Sequence, residues 1–411
     1  IPGGDEYGND TWLNESWRYT GNTGVWGQIS VDTELGIVYL PTEMPTNDYY
    51  GGHRHGDNLF SDSIVAVDLE TGDRLWHYQV IHHDVWDWDF PCAPVLVDVA
   101  IEGRPGITKV VAQPSKQGWL YVLDRETGEP IWPIVERPVP ASEVPGESLS
   151  PTQPFPTKPA AYEMQGLTVD DLIDFTPQLR AEALEIVEHY RIGPIFNPPI
   201  ETGHPSGQRS FVSCPNGATN INGPTSADPL SGILYVSTRR GCRSENIVPG
   251  QDLDRPDDIM TTGATIAEWA VLNRGDFRGP QGLPIWKPPY SQVVAIDMNT
   301  GEHLWAVPNG DTPDYIRNHE ALQGVEFPNT GRLSYPITMV TPTLLITAEG
   351  AGGAAVLRAV DKMTGERLAT VEIPAPGQYG MMGYMHDDQQ YIVVQIAGRG
   401  MPGSLAALRL R

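Results

Sequence analysis

Short apolar stretches, each ending in a turn signal, recur along the chain. One phrase occurs four times: VDLETGDRLW ending at Trp76, LDRETGEPIW ending at Trp132, IDMNTGEHLW ending at Trp305, and VDKMTGERLA ending at Ala369. In each, an apolar strand runs into Asp and a Thr-Gly turn, and a second strand returns. Glycine allows the positive φ of such a turn, and Asp can accept hydrogen bonds from its amides. Repeats at a spacing of roughly 40 to 60 residues predict the four-stranded blades of a β-propeller.

A second repeated phrase marks the earlier strands of a blade, ISVDTELGIVYLPT at 29–42 and TSADPLSGILYVST at 225–238. The two phrases together predict blades at about 25–80, 92–134, 217–307 and 335–374, and a last unit at 381–410 that lacks the closing Trp phrase. The prediction is therefore an all-β fold, a single propeller domain over 1–411 with about four and a half blades.

The long gap between the second and third predicted blades contains the Pro-rich stretch PVPASEVPGESLSPTQPFPTKP. After it, 3.6-residue spacing of apolar positions predicts one helix over 169–190, with Thr168 as its N-cap. We expect residues 135–216 to form an insertion on one face of the propeller, where such loops commonly build or cover a site.

Composition and charge narrow the possible partners. The 27 basic and 52 acidic residues give a net charge of −25, which argues against nucleic acid and anionic membranes as partners. There is no run of 18 apolar residues, so the sequence predicts no membrane span. There is also no CxxCH motif for a c-type haem, and Cys214 and Cys242 either pair in an oxidising compartment or stay free thiols.

Four stretches resemble the PQQ-dependent quinoprotein dehydrogenases, the family of methanol, alcohol and membrane glucose dehydrogenases. They are NTGVWGQISVDTELGIVYLPT, HHDVWDWDFP, AQPSKQGWLYVLDRETG and PITMVTPTLLITAEG with YIVVQIAGRG, and HHDVWDWD is the most specific. The resemblance covers nearly the whole chain. It implies a periplasmic or secreted enzyme that oxidises an alcohol or sugar with pyrroloquinoline quinone (PQQ) and a metal. Electrons would pass to the quinone pool or to a cytochrome c.

The resemblance also implies roles for individual residues. Asp87 corresponds to the catalytic base, because a carboxylate beside the quinone carbonyl can take the alcohol proton while hydride leaves carbon. Lys116, in SKQG, corresponds to the cation that hydrogen-bonds the quinone oxygens and stabilises their charge on reduction. Trp26 corresponds to the ring on which the flat cofactor stacks. Asn220, in GATNING, corresponds to an amide near the cofactor.

The implied metal site departs from the family pattern. Asp87 and Asp89 are the expected carboxylate ligands, with Ca²⁺ as the expected ion and a lanthanide or Mg²⁺ as alternatives. The family's ligand Asn is replaced here by Met44, whose thioether is a poor ligand for a hard cation. Asn47 or Asp48, in PTNDYYGG, is the expected replacement.

Two other interpretations compete with this one. The run from His53 to Asp57 reads HRHGD and resembles the zinc motif of metallo-β-lactamases. However, Asn58 replaces that motif's next His, so we expect a loop between blade strands. His82-His83-Asp84 is likewise interpreted as a loop beside the catalytic aspartate. The second alternative is a non-catalytic propeller that acts as a protein-binding scaffold, which the repeats alone would fit.

Family propellers have eight blades, and the family's upstream metal glutamate has no counterpart here. The chain begins with Ile1 and not with Met, as in a processed or truncated protein. We therefore expect the 411 residues alone to be inactive, with further blades supplied by upstream sequence or by another chain.

Overall fold

The computed structural model describes residues 1–221, 223–250 and 268–409. Its first blade is a four-stranded antiparallel sheet, and the sheet that follows has three strands. The first contains β1 (Ser30–Asp32), β2 (Ile37–Pro41), β3 (Ser63–Asp68) and β4 (Arg74–Gln79); the second contains β5 (Val95–Val99), β6 (Thr108–Pro114) and β7 (Leu120–Asp124).

The prediction of four strands at 92–134 is therefore wrong by one strand. The segment after the turn is reduced to an isolated bridge between Pro130 and Leu123 and one hydrogen bond from Ile131 N–H to the Val122 carbonyl (2.9 Å). Pro130 and Pro133 both lack the N–H that a ladder needs, which accounts for the missing fourth strand.

The predicted insertion begins with a hairpin and contains a shorter helix than expected. In chain order it contains β8 (Ile134–Pro138), β9 (Thr152–Pro156), α1 (Pro177–Val187), β10 (Tyr190–Arg191) and β11 (Ser210–Ser213). The helix predicted over 169–190 forms only over Pro177–Val187, and the prediction of Thr168 as its cap is wrong. Thr168 precedes a single 3-10 turn at Val169–Asp171, and Thr176 caps α1 by accepting the N–H of Leu179 (3.2 Å).

A second excursion leaves the third blade. That blade contains β12 (Ser226–Asp228), β13 (Ile233–Arg239), β16 (Ser291–Asp297) and β17 (Glu302–Pro308), whereas β14 (Arg243–Pro249) and β15 (Trp269–Asp276) join β10 and β11 in a separate sheet. The insertion therefore does not end at 216. A disulfide between Cys214 and Cys242 joins its two parts, while Cys92 is a buried free thiol.

After the helical turn α2 (Asp314–Arg317), the chain forms a fourth blade and a last three-stranded sheet. The fourth blade contains β18 (Ile337–Val340), β19 (Leu344–Ala348), β20 (Val356–Asp361) and β21 (Arg367–Glu372), and the last sheet contains β22 (Gly377–His386), β23 (Gln389–Gly398) and β24 (Met401–Arg409). First strands of successive blades contact one another in the order β1, β5, β12, β18 and β22. The blades therefore follow one another around a common axis, as in a propeller.

The repeated Asp-Thr-Gly phrase forms the turn between the third and fourth strands, as predicted. The carboxylate of Asp68 accepts the N–H groups of Glu70 (3.0 Å) and Thr71 (2.8 Å). Equivalent bonds to both turn amides are made by Asp124 and Asp361. The turn geometry is thus set locally by the repeated residues.

The Trp that closes one blade packs on the turn of the next. A Cβ added at Gly128, whose φ is +75°, would lie 2.5 Å from the Trp76 ring. The Trp76 indole donates to the carbonyl of Arg125 (3.2 Å) in the same turn. Trp305 contacts the turn of the fourth blade in the same way, donating to Lys362 (3.2 Å). The Trp phrase therefore joins neighbouring blades.

Candidate active site

A buried turn presents the expected catalytic aspartate. Residues 80–90, here called the Asp87 segment, follow β4 and lead towards β5. The Asp84 carboxylate accepts the N–H groups of Trp86 (2.6 Å) and Trp88 (2.8 Å). The two indoles stack at 5.4 Å and pack against Phe196 in the core. Asp87 stands between the two tryptophans in the chain, with a φ of +60°. Its carboxylate has neighbours other than those of the two indoles.

Those neighbours are the other residues expected at the site. Lys116, in the β6–β7 connection, donates from Nζ to Asp87 Oδ1 (2.9 Å) and also contacts Asp89 Oδ1. The Trp26 indole donates to Asp89 Oδ2, and the Lys116 ammonium lies 5.9 Å from the centroid of the Trp26 ring. The structure therefore brings together Trp26, Asp87, Asp89 and Lys116.

Burial and charge act in opposite directions within this cluster. Burial tends to lower the pKa of Lys116, but the carboxylates of Asp87 and Asp89 outweigh it and raise that pKa above its usual value. Burial raises the pKa of Asp89 to about 7 although the Lys116 cation opposes it. The side chain of Asp87 is 22% exposed and that of Asp89 is 6% exposed. Asp87 is thus the more accessible of the two carboxylates.

Asn220 lies in a loop next to the loop that contains Lys116. The Ala218 N–H donates to the Lys116 carbonyl (2.8 Å), which places the loop of Asn220 beside the loop of Lys116. The Asn220 side-chain oxygen accepts the N–H of Ile221 (2.7 Å). Its role towards a cofactor stays a prediction.

Two residues near Asn220 were not predicted. Tyr335 donates to the Gly217 carbonyl, and the Arg239 guanidinium lies 5.6 Å from the centroid of its ring. Burial raises the pKa of Tyr335, and the charges of Arg239 and Lys116 partly offset the rise. The buried Nε of Arg239 has no hydrogen-bond partner among the described residues. The backbone of Arg239 is linked to that of Lys116 through Ala218, since the Arg239 N–H donates to the Ala218 carbonyl (2.8 Å) and the Ala218 N–H donates to the Lys116 carbonyl.

The expected third metal ligand makes other contacts. The Asn47 amide donates to the carbonyl of Trp269 (3.1 Å), and its oxygen accepts the N–H of Tyr49 (3.3 Å). Met44 is buried. Within the described residues, no group of three His, Cys, Asp or Glu side chains is arranged to hold a metal. The carboxylates of Asp87 and Asp89 both contact the Lys116 ammonium. A metal site made of Asp87, Asp89 and Asn47 stays a prediction.

The residues of the HRHGD run do not converge on one point. His53 Nε2 lies 2.7 Å from the carbonyl of Thr46, and His55 Nε2 lies 2.8 Å from the carbonyl of Gly146. Arg54 between them is fully buried and donates to the carbonyls of Asn47 (3.0 Å) and Asp84 (2.6 Å). The run is a loop between β2 and β3, and its arginine links that loop to the Asp87 segment.

The site fits a flat, anionic cofactor in its chemistry. The Trp26 side chain is 47% exposed, so the ring offers surface on which a flat cofactor could stack. Lys116 and the unsatisfied Nε of Arg239 supply cationic donors for quinone or carboxylate oxygens. A carboxylate that can accept a proton, Asp87, lies within hydrogen-bond distance of Lys116.

The chain belongs to the PQQ family described as the β-propeller domain of glucose, ethanol and alcohol dehydrogenases, whose model matches residues 2–392. The family expected from HHDVWDWD and the other stretches is thereby confirmed, as is the propeller fold. Among curated proteins, the chain is 32% identical over 396 residues to the quinoprotein glucose dehydrogenase of Escherichia coli, covering 92% of this chain and 47% of that protein. It is 31% identical to the glycerol dehydrogenase large subunit of Gluconobacter thailandicus, covering 96% of this chain and 54% of that protein.

Solved structures show the same fold. The quinohemoprotein alcohol dehydrogenase of Comamonas testosteroni superposes with a TM-score of 0.60 at 20% identity, covering 97% of this chain and 50% of that one. A europium-containing methanol dehydrogenase superposes with a TM-score of 0.59 at 20% identity, covering 96% of this chain and 54% of that one. The chain thus spans about half the length of the proteins it matches.

Proposed function

We propose that this chain forms part of a PQQ-dependent dehydrogenase that oxidises an alcohol or a sugar by hydride transfer to the quinone. The contact of Lys116 with both Asp87 and Asp89, beside the Trp26 ring, carries the proposal. It combines a proton acceptor, a cation and a stacking surface in one place. The curated relatives include glucose and glycerol dehydrogenases, which supports a polyol or sugar such as glucose as the first substrate to test.

In this proposal Asp87 accepts the proton of the substrate hydroxyl while hydride leaves the adjacent carbon. The bound quinone supplies the electrophilic acceptor for that hydride. Lys116 holds the Asp87 carboxylate in place through its 2.9 Å contact, and its ammonium would supply positive charge to the quinone oxygens. The Trp26 ring would shield a stacked cofactor from water.

A metal is part of the proposal, and its donors would be oxygens. Asp87 and Asp89 are the carboxylates that would bind it, with Ca²⁺ as the first candidate and Mg²⁺ or a lanthanide as alternatives. The presence of europium in one structurally similar dehydrogenase supports testing a lanthanide. The ion would polarise the quinone carbonyl as a Lewis acid.

We further propose a periplasmic or secreted location and electron transfer to the quinone pool or a cytochrome c. The Cys214–Cys242 disulfide supports an oxidising compartment, since such bonds are rare in the cytosol. Among the described residues, no helix is long and apolar enough to span a membrane.

The test is reconstitution of the protein at its natural length with PQQ and Ca²⁺, followed by dye reduction with a panel of alcohols and sugars. We expect reduction that requires the quinone, the ion and at least one substrate of the panel. Saturable quinone binding without reduction of dye by any substrate would contradict the proposed activity. Absence of both binding and reduction would favour the scaffold alternative.

A further inference from the structure

Two adjacent histidines of the Asp87 segment contact two glutamates of the Pro-rich insertion, the predicted insertion that begins at residue 135. His82 Nε2 lies 3.1 Å from Glu136 Oε1, and His83 Nε2 lies 2.7 Å from Glu147 Oε1. The pairs differ in burial: the Glu136 side chain is 49% exposed, whereas those of His83 and Glu147 are 1% and 2% exposed. The chain therefore offers an exposed pair and a buried pair side by side.

The carboxylate of Glu147 is fully engaged. Its Oε1 also accepts the N–H of Ser148 (2.8 Å), and its Oε2 accepts the N–H of Gly51. Burial works to raise the pKa of Glu147, but the contacts with His83 and Gly51 and the charge of Arg54 lower it to about 2. The insertion therefore places an ionised carboxylate between the loop that contains Gly51 and the Asp87 segment.

The His83 ring is held from its other side as well. Its Nδ1 lies 2.8 Å from the carbonyl of Gly56, so both ring nitrogens face hydrogen-bond acceptors. A Cβ added at Gly51 would lie 2.3 Å from His83 Nε2. The loop backbone thus packs directly against the ring, and neither its position nor its orientation can change without breaking a contact.

His83 directly precedes Asp84 in the chain. The Asp84 carboxylate accepts the N–H groups of Trp86 and Trp88, which flank Asp87, and so shapes the turn. We infer that Glu147 is a positioning residue that acts through His83 to fix the turn that presents Asp87. The inference rests on the proposed role of Asp87 as base, and it assigns part of the Pro-rich insertion to the active site.

The test compares Glu147→Gln and His83→Gln with Glu136→Gln, the matched change at the exposed pair. Hydrogen exchange of peptides covering residues 84–90 is measured first, on the ligand-free chain. We expect exchange about tenfold faster or more for the two buried-pair variants, because a charge-assisted hydrogen bond is lost. The Glu136→Gln variant should exchange like the unchanged protein, because exposed ion pairs contribute little.

Turnover is the second measurement, on the protein at its natural length loaded with PQQ and Ca²⁺. We expect kcat to fall about 10- to 100-fold for Glu147→Gln with KM little changed, because a small displacement of the base slows the chemical step. The double variant Glu147→Gln/His83→Gln should be no slower than His83→Gln alone, since both act through one contact.

Equal exchange over 84–90 in the Glu147→Gln and Glu136→Gln variants would overturn the inference. A lowered melting temperature with unchanged kcat would also overturn it, since the role would then be structural alone. If the unchanged protein fails to reduce dye, the proposed function fails, and the exchange result still decides whether Glu147 holds the turn.

Discussion

At the scale of single residues, Lys116 is the cation on which two carboxylates depend. Its Nζ contacts Asp87 and Asp89, and its side chain is 8% exposed. Removing one partner from a buried charge cluster leaves the remaining charges uncompensated. The interaction therefore contributes to folding as well as to the proposed chemistry.

We predict that Lys116→Met lowers the free energy of unfolding by about 3 kcal/mol, because two carboxylates lose their buried counter-ion. Lys109→Met is the control, since the Lys109–Glu34 pair (3.0 Å) includes a glutamate that is 79% exposed, and we expect a much smaller loss there. Urea denaturation measures both. Equal losses in the two variants would contradict the assignment of Lys116 as a buried counter-ion.

A second residue-scale prediction concerns the buried Asp84. Burial raises the pKa of its carboxyl from 3.8 to about 7, so the folded state keeps a proton that the unfolded chain has already lost. The resulting contribution to stability is present at low pH and is lost as pH rises towards 7. We predict that Asp84→Asn, which cannot ionise, gives a flatter dependence of unfolding free energy on pH than the unchanged protein.

Urea unfolding at several values from about pH 5 to 8 tests this. The lower limit avoids the opposite contribution of Glu147, whose pKa is lowered to about 2. Parallel curves for the variant and the unchanged protein would show that Asp84 is ionised in the folded state.

At the scale of elements, the turn between third and fourth strands is the part that sequence predicts best. Asp, Thr and Gly act within a few residues, so one repeated phrase is enough to specify the bonds from Glu70 and Thr71 to Asp68. The start of α1 is harder to predict from sequence. Thr168 and Thr176 can both cap a helix, but Thr168 precedes only a 3-10 turn and Thr176 precedes the α-helix.

The contact between blades gives an element-scale prediction. Gly128 and Gly72 occupy the same turn position with φ of +75° and +77°, so Ala strains both backbones alike. A Cβ at Gly128 would lie 2.5 Å from Trp76, whereas one at Gly72 meets no described atom within 4 Å. We predict that Gly128→Ala destabilises the chain by about 2 kcal/mol more than Gly72→Ala, because only Gly128 is overpacked. Urea denaturation of the two variants checks the difference.

Equal destabilisation would mean that the Trp phrase does not hold blades together. In the first blade no described residue covers the Asp-Thr-Gly turn at Gly72, whereas a Trp ring covers the corresponding turn in each later blade that has one.

At the scale of the whole molecule, the family resemblance predicted which residues lie close together, and their roles stay predictions. Trp26, Asp87, Asp89 and Lys116 lie in the quoted stretches and do meet. The contacts of Arg54 and of the His83–Glu147 pair join distant parts of the chain and leave no local pattern. The excursion through β14 and β15 was missed for the same reason, since its partner β11 lies outside the blade.

The chain spans about half the length of its relatives, and Trp26 is 47% exposed. We therefore predict that the 411 residues by themselves do not reduce dye, even with PQQ and Ca²⁺ added, because the cofactor would stay open to water. Dye reduction by the isolated chain is the measurement. Turnover by this chain as a monomer would contradict the prediction.

The most direct test of the proposed function compares Asp87→Asn with the unchanged sequence in the protein at its natural length. Quinone binding is followed by titration, and turnover by dye reduction with the best substrate of the panel. We predict quinone affinity within about tenfold of the unchanged protein and turnover lower by about 100- to 10,000-fold, because an amide cannot accept the substrate proton. Unchanged turnover in Asp87→Asn would contradict the assignment of Asp87 as the base and the proposed mechanism built on it.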